Sequence, residues 1–187
     1  MKIKRCPWCA GNTLYMEYHD NEWGVPVYDD AVFFEFLILE TFQAGLSWIT
    51  ILRKRENFKN AFDGFDYAKI ATYGQSKIDS LLEDEGIIRN KLKINAAVTN
   101  AKAFIKIQEE FGSFKSYIWE FVGGKPIKNS FTSMREVPAN TILSDKISKD
   151  LKKRGLKFVG PTVVYAFLQA TGLVDDHLTD CFKYNKI

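Results

Sequence analysis

Apolar and polar positions follow a helical period along most of this chain, and strand patterns are scarce. The segment 29–45, DDAVFFEFLILETFQAG, opens on aspartates suited to a helix N-terminus and closes near Gly45. Its apolar residues run nearly all round, which predicts a central, buried helix. SWITILRKRENFKNAF (47–62) is amphipathic, with Ser47 at an N-cap position. DYAKIATY and KIDSLLED predict short helices. Residues 89–112 predict a long one stopped by Gly112, and FKSYIWEFVGG another short one. Residues 123–140 form the longest loop-like stretch. Two further helices, 143–155 and 161–172, are joined by GLKFVG. The expected fold class is all-α, with residues 1–187 forming a single unit of two helical lobes.

One stretch resists this periodicity. RCPWCAGNTLYMEYHDNEWG (5–24) crowds two cysteines, a histidine and four aromatic rings into what reads as a loop. The other histidine and the third cysteine stand in VDDHLTDC (174–181), at the opposite end. An odd number of cysteines without a secretion-type leader points away from disulfides, towards free thiols or a metal site. His177 and Cys181 are four apart, which on a helix places both on one face. Cys6 and His19 could complete a Cys2His2 tetrahedron, the ligand set of a closed structural zinc site. Cys9 competes for the same role through Cys6-x2-Cys9, and buried thiols beside unrelated histidines is the plainer alternative. A zinc ion there would tie the N-terminal segment to a C-terminal helix and leave no open position for catalysis.

Composition narrows the class. Apolar content of 46% with 26% charged residues fits a soluble globular protein, and 187 residues suffice for a full core. No apolar run reaches bilayer length, so no membrane partner is expected, and the chain reads as cytoplasmic. The net charge of +3 says little by itself, but KDLKKRGLK (149–157) and LRKRENFK (52–59) concentrate the positive charge. The first of these leads into GPTVV, and Gly155 and Gly160 bracket a tight turn between two helices. Backbone amides at such a turn, beside a helix N-terminus, suit a phosphate. Lys153, Arg154 and Lys157 add attraction to a nucleic-acid backbone. Glu40 lies in the otherwise apolar 29–45 helix, with Gln43 one turn on, and a buried carboxylate there needs a partner. A carboxylate framed by Trp48, Trp23, Tyr15 and Tyr18 suits a flat, electron-poor ring; an ordinary aromatic core cluster is the alternative.

YHDNEWGVP (18–26), LETFQAGLSWITILRKRENF (39–58), GIIRNKLKI (86–94), LKKRGLKFVGPT (151–162) and VDDHLTDC closely resemble the type I, Tag-like DNA-3-methyladenine glycosylases. The resemblance runs from about Cys6 to Cys181. It implies a helix-hairpin-helix glycosylase fold, and an enzyme that flips 3-methyladenine out of alkylated double-stranded DNA and hydrolyses its N-glycosidic bond. Free 3-methyladenine would be the product. It also implies structural zinc on Cys6, His19, His177 and Cys181, with Cys9 a bystander. Glu40 and Tyr18 match residues that hydrogen-bond the base and Trp48 matches a stacking plate, with Trp8, Tyr15 and Trp23 shaping the pocket. Gly45 and Leu46 match a turn that fills the gap left by the flipped nucleotide. The hairpin from Gly155 to Gly160, with Lys153 and Lys157, matches the part that grips the DNA backbone. Asp175 stands where the wider superfamily often carries a catalytic aspartate; a helix cap before His177 is the other reading.

Two other classes compete. A non-catalytic, zinc-stapled DNA-binding module would need the hairpin but not Glu40 and its aromatic frame. A zinc hydrolase would need an open metal position. A monomer, nucleoid-associated in a prokaryote, is the default expectation, with a poorly ordered tail after Cys181.

Overall fold

A computed structural model describes residues 3–184. Nine α-helices follow one another among the described residues: α1 (Thr13–Asn21), α2 (Asp30–Gln43), α3 (Trp48–Ala61), α4 (Tyr67–Ile70), α5 (Gln75–Glu83), α6 (Lys91–Phe111), α7 (Phe114–Glu120), α8 (Ile142–Lys153) and α9 (Pro161–Ala170). The all-helical expectation holds in the main. It misses a short parallel pair, β1 (Ile127–Lys128) and β2 (Val174–Asp175), with Ile127 opposite Val174. Two residues per strand leave no alternation to detect.

α2 is the axis of the fold, as its all-round apolar surface predicts; it packs on α3, α6, α7 and α9. Asp29 caps it by accepting from the amides of Ala31 (2.8 Å) and Val32 (3.1 Å). The neighbouring Asp30 accepts from the amides of Phe114 and Lys115, both at 2.8 Å, so one acidic pair starts α2 and α7 together. Phe33 and Phe34 of α2 meet Phe104, Phe114 and Phe167 from its neighbours, all buried, with Phe104 and Phe114 stacked at 4.4 Å. Each such ring stabilises the fold by about 1.5–3 kcal/mol through burial. Gly112 ends α6 in the left-handed region (φ 80°), where a glycine carries no steric penalty.

Three expectations need correction. The stretch 5–24 is not a loop: α1 occupies its second half, capped by the Asn12 side chain accepting from the Tyr15 amide at 3.1 Å. Its inward positions are Tyr15, Tyr18 and His19 rather than aliphatic residues, which hides the helical period. The stretch around His177 and Cys181 is not helical. After β2 the chain runs through turns, so the four-residue spacing does not express a helix face. Residues 182–184 are packed: the Phe182 amide donates to the Lys4 carbonyl (2.9 Å), and the hydroxyls of Tyr184 and Ser130 lie 2.7 Å apart. Residues beyond Tyr184 lie outside those described.

Gly172 sits where the end of α9 meets the chain entering α2. Its φ is +67°, and a Cβ there would lie 2.4 Å from backbone atoms of Val25 and Pro26. Gly172→Ala is expected to cost about 3 kcal/mol or more, because strain and clash with rigid backbone act together. That corresponds to a melting temperature lowered by roughly 6–12 °C; an unchanged melt would contradict it.

Candidate functional site

A cavity of about 290 Å³ opens between α1, α2, the start of α3, α9 and the 134–139 loop. Trp8, Tyr15, Tyr18, Trp23, Glu40 and Trp48 all line it, so the structure assembles the expected aromatic frame around Glu40. Gln43 lines it too, one turn on from Glu40. Helix geometry explains the placement. α1 presents Tyr15 and Tyr18, α2 presents Glu40 and Gln43, and the turn after α2 returns the chain so that Trp48 opens α3. Tyr18 and Trp48 lie 5.4 Å apart at a tilt of 48°. The opposite wall was not foreseen: Met134, Val137, Pro138 and Ala139 from the long loop, and Thr162, Tyr165, Ala166 and Gln169 from α9. Tyr165 and Gln169 are fixed by donating to Asp176 Oδ2 at 2.6 and 2.7 Å, and Asn129 donates to its Oδ1 at 2.7 Å.

Two polar atoms in this wall are buried without a hydrogen-bond partner among the described residues, Glu40 Oε2 and Trp48 Nε1. Native structures rarely leave such groups unpaired, and a ligand-binding cavity is one setting in which they do. Glu40 is 3% exposed, and burial pushes its carboxyl up to about 8. It is therefore poised to change charge near neutrality when something positive enters. Burial raises the Tyr18 hydroxyl well above its usual range, and Glu40 adds to the effect. Glu35, on the same helix, faces away and pairs with Arg55 at 2.7 Å.

Behind Trp8 and Trp23 lies the Cys/His cluster. Ligand atoms of Cys6, His19 and Cys181 fall within 4.8 Å of one another, all buried. His19 Nε2 stands 3.5 Å from Cys181 Sγ, close to the spacing of two ligands on one tetrahedral ion. His177 joins the group edge-on, its ring 5.1 Å from that of His19, with Nε2 buried and unpartnered. Each histidine donates from Nδ1 to a carboxylate, His19 to Asp20 (2.8 Å) and His177 to Asp175 (2.7 Å). This arrangement fixes each ring's direction and makes each Nε2 the acceptor nitrogen a metal needs. That of His177 has no partner among the described residues, and that of His19 accepts a long bond from the Cys6 amide (3.4 Å). The hydrogen bond from Cys6 draws Cys181 below the usual thiol range, so one sulfur is held towards the thiolate a metal needs. Cys9 stands apart and donates to the Cys6 carbonyl at 3.2 Å. Trp23 packs on His177 at 4.6 Å and Trp8 on His19 at 5.3 Å, so the cluster braces the cavity wall.

Asp175 is placed by the same contacts. Its Oδ1 also accepts from the His177 amide at 3.1 Å, and it does not line the cavity. It sits in β2, so it caps no helix either. The acids beside the two histidines, His19-Asp20 and Asp175-x-His177, are the sequence signal for this arrangement.

Further out, Gly45 (φ 84°) and Leu46 (40% exposed) form the turn between α2 and α3, next to cavity residues Gln43 and Trp48. The α8–α9 turn holds Gly155 at φ 98°, with Gly160 and Pro161 starting α9. Lys153 and Lys157 are exposed there. Arg154 is not available as expected: it pairs with Glu110 and Asp150, both at 2.7 Å. The 52–59 basic cluster is likewise partly engaged, Arg55 bridging Glu22 and Glu35 and Lys54 capping the carbonyls of Glu85 and Gly86.

Comparison with known proteins gives one consistent result. The family model described as methyladenine glycosylase matches residues 8–184. A DNA-3-methyladenine glycosylase of Haemophilus influenzae is 48% identical over 177 residues, covering 95% of this chain and 96% of that protein. DNA-3-methyladenine glycosylase 1 of Escherichia coli is 46% identical over 182 residues, covering 97% of each. A crystal structure of a tyrosine-to-phenylalanine variant of 3-methyladenine DNA glycosylase I, in complex with 3-methyladenine, superposes with a TM-score of 0.93. It is 37% identical and covers 96% of this chain and 97% of that one.

Proposed function

The chain belongs to the methyladenine glycosylase family, and we propose that it hydrolyses the N-glycosidic bond of 3-methyladenine in alkylated DNA. The observation that carries this reading is the aromatic cavity with Glu40 Oε2 buried and unpartnered in its wall. Methylation at N3 gives adenine a positive charge, and aromatic faces together with a carboxylate favour a cation over neutral adenine. A cationic ring beside Glu40 favours the ionised carboxylate, which then accepts from the exocyclic amine.

The chemistry needs little push. When the C1′–N9 bond breaks, its electron pair cancels the positive charge on the ring, and 3-methyladenine leaves neutral. Water adds to C1′ of the oxocarbenium sugar and loses a proton, leaving an abasic site. Contacts that stabilise the cation oppose its discharge, so Glu40 and Trp48 serve selection more than rate. Rate comes from extruding the nucleotide and positioning water, and extrusion is cheapest for a damaged base. In this reading Leu46 enters the gap in the duplex. The α8–α9 turn, read as a helix-hairpin-helix grip, holds the backbone through its amides and Lys153 and Lys157.

Zinc suits this cluster: Cys6, His19 and Cys181 bring soft donors within 4.8 Å of one another. His177, its ring against that of His19 and its Nε2 buried and unpartnered, is the fourth ligand in this reading. Four protein ligands would make it a structural ion. Asp175 and Asp20 then orient the two imidazoles, so in this reading Asp175 acts on the metal site and not on the sugar. The zinc-hydrolase class loses its open position. A non-catalytic DNA-binding module accounts for the hairpin but leaves the buried Glu40 unexplained.

Free 3-methyladenine is expected to bind the purified protein and quench tryptophan fluorescence. Trp48→Ala is expected to weaken that binding by about 10- to 100-fold, the worth of one base–aromatic stack. Equal binding of adenine and 3-methyladenine, or an unaffected Trp48→Ala, would count against the pocket assignment.

A further inference from the structure

We propose that α6 is the spacer that holds the two DNA-facing turns in register, with Lys93 and Asn100 as its positioning residues. The inference rests on the reading above, in which the Gly45–Leu46 turn enters the duplex and the α8–α9 turn holds its backbone.

Lys93 is only 6% exposed, although it is a lysine. Its Nζ donates to the carbonyls of Phe42 (2.9 Å) and Ala44 (2.6 Å), at the C-terminal end of α2. Carbonyls at that end lack intrahelical partners and carry the negative end of the helix dipole, so an ammonium suits them. Gly45 follows immediately and turns the chain to present Leu46. Lys93 therefore grips the root of this turn.

Asn100 is fully buried. Its Nδ2 donates to the Lys157 carbonyl (3.1 Å), and its Oδ1 accepts from the Lys157 amide (2.7 Å). Both backbone groups of one residue in the α8–α9 turn are thus held by a single carboxamide. Seven residues separate Lys93 from Asn100, which puts them on the same face of α6, about 10 Å apart along its axis.

Apolar residues would pack at both positions at lower desolvation cost. What the polar pair provides is directional contact with two remote turns. One rigid helix then fixes the distance between Leu46 and Lys157 before DNA arrives, which is preorganisation of the kind that lowers the cost of reaching a reactive geometry.

The roles separate in kinetics. On a duplex carrying one 3-methyladenine, Lys93→Met is expected to slow single-turnover excision by about tenfold or more while duplex affinity and free-base affinity stay within about threefold. Asn100→Leu is expected to do the reverse, weakening duplex binding by about tenfold or more with the excision rate at saturation within about threefold. Lys93→Met combined with Leu46→Ala is expected to lose less than the product of the single losses, because both act through one turn. Similar losses of rate and affinity in both variants, free-base affinity falling as far as excision, or full additivity with Leu46→Ala would each overturn the proposal. Lys93→Gln, read by the same criteria, stands in if Lys93→Met does not fold. Failure of both to fold would mean Lys93 serves the core, and would overturn the proposal too. Absence of excision by the folded wild-type protein would instead strike the functional reading itself.

Discussion

Glu40→Gln is expected to stabilise the ligand-free protein while impairing its action on 3-methyladenine in DNA. In the folded chain burial raises this carboxyl to about 8, whereas in the unfolded chain it titrates as an ordinary glutamate. The stability that goes with the protonated form is fully present below the unfolded value and is lost as pH rises through about 8. Glutamine is a neutral isostere and escapes that loss. The variant should therefore gain on the wild type with rising pH, by about 3 kcal/mol between roughly pH 5 and pH 9, or several degrees in melting temperature. The kcat/KM of excision should fall by about 10- to 100-fold, the worth of a hydrogen bond to a charged group, with less change in kcat. The wild-type kcat/KM should climb with pH as free Glu40 loses its proton, and the variant should lack that limb. Melting curves and rate profiles from the two proteins test both halves; parallel pH dependence in both would contradict the assignment.

Removing a metal ligand is expected to have the larger effect on the fold. The purified chain should carry close to one zinc ion, and His177→Ala or Cys181→Ser should lose it. A closed structural zinc site contributes on the order of 10 kcal/mol, as much as the whole net stability of an ordinary domain. Trp8 and Trp23 rest on the two histidines, so the cavity wall should loosen with the site. Chelation should lower the melting temperature and abolish 3-methyladenine binding together. Metal-free protein with an unchanged melt and intact binding would refute the structural role.

Much of the scaffold was legible in the sequence. α2, α3, α6, α8 and α9 carry long apolar periods, and tertiary packing agrees with that local preference. Side chains cap α2, α6 and α8, whereas Ser47, expected to cap α3, makes no cap bond and its hydroxyl pairs with that of Thr50 instead. The failures have physical reasons. α1 hides because its inward face is made of aromatic and ligand residues that serve the cavity and the cluster. The turn segment carrying His177 and Cys181 imitates helix spacing by coincidence, and contacts to β1 and α9 set its course instead.

In the candidate site, residues with distinctive chemistry were legible: Glu40, Trp48 and the tyrosines line the cavity, and of the four metal-ligand candidates Cys6, His19 and Cys181 cluster, with His177 beside them. Met134, Val137 and Tyr165 did not. Nothing in their local sequence distinguishes them from ordinary apolar positions, and only tertiary folding brings them opposite α1 and α2. Lys93 and Asn100 were hidden for the opposite reason: a lysine and an asparagine on a long helix read as solvent-facing. Their burial and their backbone partners exist only once α2 and the α8–α9 turn have closed around α6.

The most direct test of the account is chromatographic identification of the bases that the folded protein, prepared with added zinc, frees from methylated double-stranded DNA. The account predicts release of 3-methyladenine, with 7-methylguanine left in the duplex. No release above the protein-free control, or release of both bases at similar rates, would contradict a glycosylase that selects its substrate in the Glu40 cavity.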